Sequence, residues 1–161
     1  MKEKYKVITS ENNQLITNVI HTIDKNVLKI YNRGLAEYGL TMQQSLVILY
    51  IGNTDKEKVY QIDLERYLGL RNPTVTSMIK NLIANDYVYR IKDEADGRYY
   101  HLHLTDKSLA VKDNLARVIY EINHKIESKL TEEEFTMLSF LLNKVSEIAK
   151  AELSEDQDIS Q

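Results

Sequence analysis

Residues 71–105 read RNPTVTSMIKNLIANDYVYRIKDEADGRYYHLHLT, and the period of the sequence changes once inside this stretch. Its first part carries Val75, Ile79, Leu82 and Ile83 at the three-and-four spacing of one helix face. Asn72 is a good N-cap and Pro73 suits the first helical position, so a helix is predicted from residue 73 to about residue 85. On that helix Thr74, Ser77, Lys80 and Asn81 point away from the apolar stripe, with Thr76 on its flank. From Tyr87 onward the residues turn aromatic and β-branched, and 87–92 and 99–104 read as two strands joined by a turn at 93–97. Alternation puts Tyr100, Leu102 and Leu104 on one face and Tyr99, His101 and His103 on the other. Two strands alone are marginal in water, so this isolated hairpin is expected to lean on the helices before it.

Upstream, Leu15, Ile16, Val19, Ile20, Ile23, Val27, Leu28, Ile30 and Tyr31 mark one face of a long amphipathic helix over residues 12–38, ended by Gly39. Thr41 with Gln44 forms a capping box that opens a second helix over 42–51. After a polar link at 54–58, Ile62, Leu64, Leu68 and Leu70 belong to a short helix closed by Gly69. Downstream, Thr105 caps a long helix carrying Leu115, Val118, Ile122 and Ile126, and Thr131 with Glu134 caps a last one carrying Phe135, Leu138, Leu142 and Ile148. Residues 155–161 read as an acidic, disordered tail.

The whole is mainly α: a winged helix-turn-helix with a two-stranded wing, flanked by long N- and C-terminal dimerisation helices. Residues 39–105 form the winged part, and 8–38 with 106–154 the helical dimerisation region. Composition agrees, since 5 glycines and 1 proline among 161 residues favour long helices over a turn-rich sandwich. The chain has no cysteine, which excludes disulfides, thiolate metal sites and thiol-based sensing of oxidants. Its longest clean apolar run, residues 46–51, is far short of the roughly 20 residues that span a bilayer. The start of the chain is polar, and a cytoplasmic location is expected.

The formal charge of −3 is unevenly spread: residues 66–111 carry +2 and residues 112–161 carry −5. An anionic partner therefore meets the middle of the chain. A helix with a small, polar N-terminal half can enter a major groove about 12 Å wide while the preceding helix braces it. Pro73, Thr74, Thr76 and Ser77 are small enough for close approach, the helix-turn-helix context makes Asn72 a DNA contact beside them, Lys80 can reach phosphate, and Arg71 can reach phosphate or a base edge. At the wing tip Asp96 can hold the guanidinium of Arg98, an extended side chain suited to the electronegative minor groove. Arg90 and Lys92 stand at the wing base.

These pieces resemble the MarR-type transcriptional regulators. The resemblance rests on Leu40 to Gln44, Leu64 to Leu70, Asn72 to Thr76, Leu82, Val88, Arg90, the wing triplet Asp96, Gly97 and Arg98, and Leu104 with Thr105. Two positions depart from the family pattern, Asp86 and Ser108 standing where glycine is usual. The resemblance implies a homodimer built from the first and last two helices, and a DNA-binding regulator, a repressor, on an inverted-repeat operator. It also implies a pocket for small phenolic or anionic effectors, for which Tyr31, Tyr38 and Tyr67 are the candidate lining. Three long apolar-striped helices beside a module of about 65 residues independently call for a second copy.

Two other readings compete. A metal-responsive regulator would use histidines with carboxylates, yet His101 and His103 have no third ligand in sequence and read as solvated wing residues, and His21 and His124 read as interfacial. A helical dimer could instead serve as a protein-interaction adaptor. No phosphate loop, zinc-binding histidine pair or nucleophile elbow occurs, so neither an enzyme nor a cofactor is expected.

Overall fold

Local signals place most of the helices. In the computed structural model, which describes residues 15–158, Thr41 and Gln44 form the reciprocal capping box and open α2, Met42–Asn53. Gly69, at φ 64°, closes α3, Gln61–Leu68, in the left-handed conformation that glycine adopts without steric cost. The recognition helix α4 is Asn72–Ala84, followed by strands β2, Val88–Lys92, and β3, Tyr100–Leu104. Helix α5, Asp106–Glu127, begins where the Ser108 amide donates to Thr105 Oγ1 at 3.3 Å. Thr131 and Glu134 cap α6, Glu132–Asp158, with bonds of 3.2 and 2.8 Å.

Four expectations need correction. The first helix does not run to residue 38: α1 is Ile16–Gly34, followed by a short 3₁₀ turn at Ala36–Tyr38. Gly34 is a poor helix former, and the tightened turn carries Leu35 into the core and leaves the Tyr38 carbonyl to accept the Tyr87 hydroxyl at 2.5 Å. Second, the hairpin is not an isolated pair. A two-residue strand β1, Val59–Tyr60, adds to it with Val59 opposite Leu102 and Tyr60 opposite His101, giving the antiparallel order β1-β3-β2. Third, Asn72 is not the N-cap of α4; Arg71 is, without a side-chain bond, and Met78 joins Val75, Ile79 and Leu82 on the buried face. Fourth, α6 stays helical through residues 155–158 of the segment expected to be disordered. The parts of these expectations that concern residues 8–14 and 159–161 lie outside the described residues.

The chain divides into two units, one ending at Tyr120 and the other starting at Glu121. In the first, Leu35, Val47, Ile48, Leu64, Val75, Leu82, Val88 and Leu115 close a core between the helices and the sheet. In the second, α6 has no buried residue among those whose side chains are described, and Phe135, Leu138, Leu141, Leu142 and Ile148 are all exposed. Among the described residues no helix is long and apolar enough to cross a membrane.

The two departures from the family pattern are explained by local bonding. Asp86 takes φ 59°, a conformation aspartate tolerates better than most L residues. Its carbonyl accepts Thr105 Oγ1 at 2.7 Å, and the buried Ser108 hydroxyl donates to the carbonyl of Tyr87. Lys107 reaches the Asn85 carbonyl at 2.7 Å, so three consecutive carbonyls between α4 and β2 are tied to the start of α5. A glycine at 108 could not supply that hydroxyl.

Candidate nucleic-acid interface

The turn from α3 to α4 sets up the polar surface of the recognition helix. Arg71 accepts the amides of Thr74 and Val75 through its carbonyl at 3.0 and 3.3 Å, which leaves its own side chain exposed beside Asn72 and Pro73. Thr74, Ser77 and Lys80 are exposed, as helical periodicity predicts, while Thr76 is half-buried. Asn72 and Thr76 belong to a small polar ring. The Gln61 amide donates to Thr76 Oγ1 at 2.8 Å and to Glu65 Oε1 at 2.9 Å, and Asn72 Nδ2 donates to the same Glu65 oxygen at 2.8 Å. Thr76 Oγ1 closes the ring on Asn72 Oδ1 at 3.4 Å. On the other flank, Gln44 Nε2 donates to Asn81 Oδ1 at 2.7 Å, fastening α4 to the first turn of α2. Sequence reasoning missed Gln44, Gln61 and Glu65; only the i, i+4 spacing of Gln61 and Glu65 hinted at a bond.

At the wing tip the expected pair is formed. Arg98 sets its fork on Asp96 with Nε to Oδ1 at 2.9 Å and Nη2 to Oδ2 at 2.7 Å, while its side chain stays 83% exposed. The guanidinium holds the Asp96 carboxyl below the usual carboxylate range, so the pair is fully ionised at neutral pH. Arg90 lies over the Tyr100 ring at 4.8 Å. The tertiary structure brings Arg90 and Arg98 of the wing to the same cleft, of about 440 Å³, as Asn72 and Thr76 of α4, with Tyr99 and Tyr100 as its aromatic wall. Pro73, Thr74 and Ser77 line a shallower depression with Thr41 and Gln44 on the opposite flank of the same helix. Arg71 and Lys80 are exposed and line neither.

Asp93, read from sequence only as a turn residue, is the buried anchor of the wing. It is 6% exposed, accepts the Tyr60 hydroxyl at 2.5 Å and Lys58 Nζ at 2.9 Å on Oδ2, and accepts the amides of Ala95 and Asp96 at 2.8 and 3.2 Å on Oδ1. These donors, Tyr60 first, hold its carboxyl far below the usual range.

The wing histidines differ from expectation. His101 is 8% exposed, and its Nδ1 lies 2.6 Å from His103 Nε2, while the Tyr89 ring stacks on His103 at 5.3 Å. The third strand covers His101, with the Tyr60 ring edge-on at 6.3 Å. A bond between two imidazoles needs one of them to offer a bare nitrogen, so the pair cannot survive double protonation. Burial, and then the neighbouring His101, push the His103 pKa down. The unfolded chain therefore binds the proton first, and the stability linked to His103 is complete above about pH 6.5 and is lost as pH falls below it. Thermal unfolding between pH 7.5 and 5.5 is expected to show a falling midpoint that the variant His103→Gln flattens. An equal slope in both proteins would remove His103 from this role. Among the described residues, no group of three histidine, aspartate or glutamate side chains converges as a metal site requires.

Of the three tyrosines proposed to line an effector pocket, two come together. The buried Tyr31 and the 47% exposed Tyr67 line a cleft of about 440 Å³ with Asp24, Val27, Leu28, Met42 and Leu46. Tyr38 does not line this cleft; it lies in the 3₁₀ turn, where its backbone carbonyl accepts the Tyr87 hydroxyl.

Residues 29–115, from the second half of α1 through the wing to the middle of α5, match the family described as Transcriptional regulator SarA/Rot. The chain belongs to that family. The HTH-type transcriptional regulator SarZ of Staphylococcus aureus is 29% identical over 104 residues, covering 65% of this chain and 69% of SarZ. The fold is that of MarR-type winged-helix regulators. The S. aureus MepR–DNA complex superposes with a TM-score of 0.78 at 21% identity, over 83% of this chain and 97% of MepR. A MarR variant from E. coli complexed with operator DNA superposes with a TM-score of 0.73 at 21% identity, over 85% of this chain and 99% of that one. This SarA/Rot member is thus a transcriptional regulator with a winged helix-turn-helix.

Proposed function

We propose that this SarA/Rot protein is a homodimeric repressor that binds an inverted-repeat operator through α4 and the wing and is released by a small-molecule effector. The observation that carries the reading is the shared cleft: Asn72 and Thr76 of the recognition helix and Arg90 and Arg98 of the wing border one groove, with Thr74, Ser77 and Lys80 exposed on the same helix. Small hydroxyls and a proline at the helix start admit the major groove, Lys80 and Arg71 neutralise phosphates, and Arg98 reaches into the adjacent minor groove. Residues 39–105 are the DNA-binding region in this proposal, with 8–38 and 106–154 as dimerisation arms.

The exposed apolar residues support the dimer. Ile16, Val19, Ile23 and Ile30 on α1, and Phe135, Leu138, Leu141 and Leu142 on α6, are faces that a soluble chain does not leave in water. A two-fold dimer presents two copies of α4, and an operator then has half-sites about one helical turn, 34–36 Å, apart. For the effector, the cleft at Tyr31 and Tyr67 offers aromatic walls and a single acid, Asp24, which favours a small aromatic ligand over an anionic one. Such a ligand needs only a differential affinity of a few kcal/mol for the dimer with misplaced helices.

Selection of bound fragments from a random duplex pool tests the proposal. The expected product is a palindrome with that spacing, bound by a species of twice the chain mass in sedimentation. Lys80→Ala should lower affinity evenly across sequences and reduce the salt slope by about one unit. Recovery of no consensus, or binding by a single chain, would overturn the reading.

A further inference from the structure

Tyr60 stands where the two halves of this surface are joined, and its two ends bond to different ones. Its backbone amide donates to Asp63 Oδ2 at 2.9 Å and so belongs to the first turn of α3, the helix that braces α4. Its hydroxyl donates to Asp93 Oδ2 at 2.5 Å. The other oxygen of Asp93 holds the amide of Asp96, and Asp96 holds the fork of Arg98. An unbroken line of bonds therefore runs from the start of α3 to the wing-tip guanidinium.

The ladder between β2 and β3 fixes the strands without this contact, through five paired positions from Val88 opposite Leu104 to Lys92 opposite Tyr100. Beyond the ladder, the backbone-to-backbone bonds of the tip are Asp93 N–H to Tyr99 O and Tyr99 N–H to Asp96 O, both at 2.9 Å. Those bonds shape the tip but do not aim it. The buried Asp93 carboxylate, by contrast, is gripped at Oδ2 by Tyr60 and Lys58, both outside the hairpin. The bond to Asp93 in turn raises the Tyr60 pKa above that of a free phenol.

We propose that Tyr60 is a positioning residue for DNA binding: by holding Asp93 it sets the Arg98 finger at a fixed offset from the recognition helix, so that major-groove and minor-groove contacts are made together. The assignment rests on the DNA-binding reading above. Pre-setting the finger spares the ordering of a loop on binding, which is where rigidity adds affinity.

A double-mutant cycle with Tyr60→Phe and Arg98→Ala tests it, by fluorescence anisotropy on the duplex recovered from the random pool. Removing one hydroxyl should weaken binding about three- to tenfold in the wild-type background. In the Arg98→Ala background, the same change should cost less than about twofold, because the finger it aims is gone. Hydrogen exchange of the full chain gives a readout independent of DNA: the amides of Ala95 and Asp96 should exchange faster in Tyr60→Phe, while those of β3 stay protected. Wild-type affinity in Tyr60→Phe, losses that multiply in full, or unchanged exchange at Ala95 and Asp96 would each overturn the assignment and leave the DNA reading standing. A wild-type protein that binds no duplex would overturn both.

Discussion

Arg98→Ala is expected to weaken operator binding by about tenfold to a hundredfold and to abolish discrimination between A·T-rich and G·C-rich flanks. The guanidinium is exposed, positively charged at every accessible pH and held by the two bonds it donates to Asp96. A ready-made finger of this kind loses little rotamer freedom when it enters a groove, so most of its electrostatic attraction appears as affinity. The narrow minor groove of A·T-rich DNA concentrates negative potential, so flank preference should vanish with the side chain. The fold should not change, since an exposed ion pair contributes little to stability. Anisotropy titrations on the selected duplex and on a copy with G·C flanks would measure both effects. Equal affinity and retained flank preference in the variant would place the minor-groove contact elsewhere.

Leu82→Ala is expected to destabilise the protein by about 2–5 kcal/mol and to lower the unfolding midpoint by about 5–15 °C. Leu82 is completely buried on the inner face of α4, and its carbonyl accepts the Tyr87 amide at 2.9 Å, at the joint between recognition helix and wing. Truncation removes its dispersion contacts and leaves a void that the turn at Asp86 cannot fill, because that turn is tied through Thr105, Lys107 and Ser108 to α5. Urea titration followed by circular dichroism measures the loss. A change below about 1 kcal/mol would mean that α4 does not depend on this face for its place in the core.

The starts of α2 and α6 and the end of α3 were legible because capping boxes and glycine terminators act over three or four residues. The outward face of α4 was legible for the same reason: Thr74, Ser77 and Lys80 are fixed relative to Val75 and Leu82 by helix geometry alone. The Asp96–Arg98 pair, two residues apart, was readable too. Several of the misplaced features involve a partner beyond the local turn. Asn72 looked like a cap, but the extended Arg71 precedes α4, and the Asn72 side chain instead bonds Glu65 across the turn and Thr76. His101 looked solvated because strand β1, only two residues long, carries no periodicity of its own, and its place is set by pairing with β3 some forty positions on. Tyr38 lies in a 3₁₀ turn whose carbonyl accepts the distant Tyr87 hydroxyl, and it does not line the cleft of Tyr31 and Tyr67.

The amino-acid order therefore determined by itself the mainly helical winged architecture, the polar face of the recognition helix and the arginine-tipped turn, since those follow from interactions closed within a few residues. Only the tertiary structure decided that Asp93 anchors the wing to Tyr60 and Lys58, that Asn72 and Thr76 share a cleft with Arg90 and Arg98, and that His101 and His103 come within hydrogen-bonding distance of each other. Those arrangements depend on which remote groups the packed core brings within bonding distance, and periodicity carries no record of that.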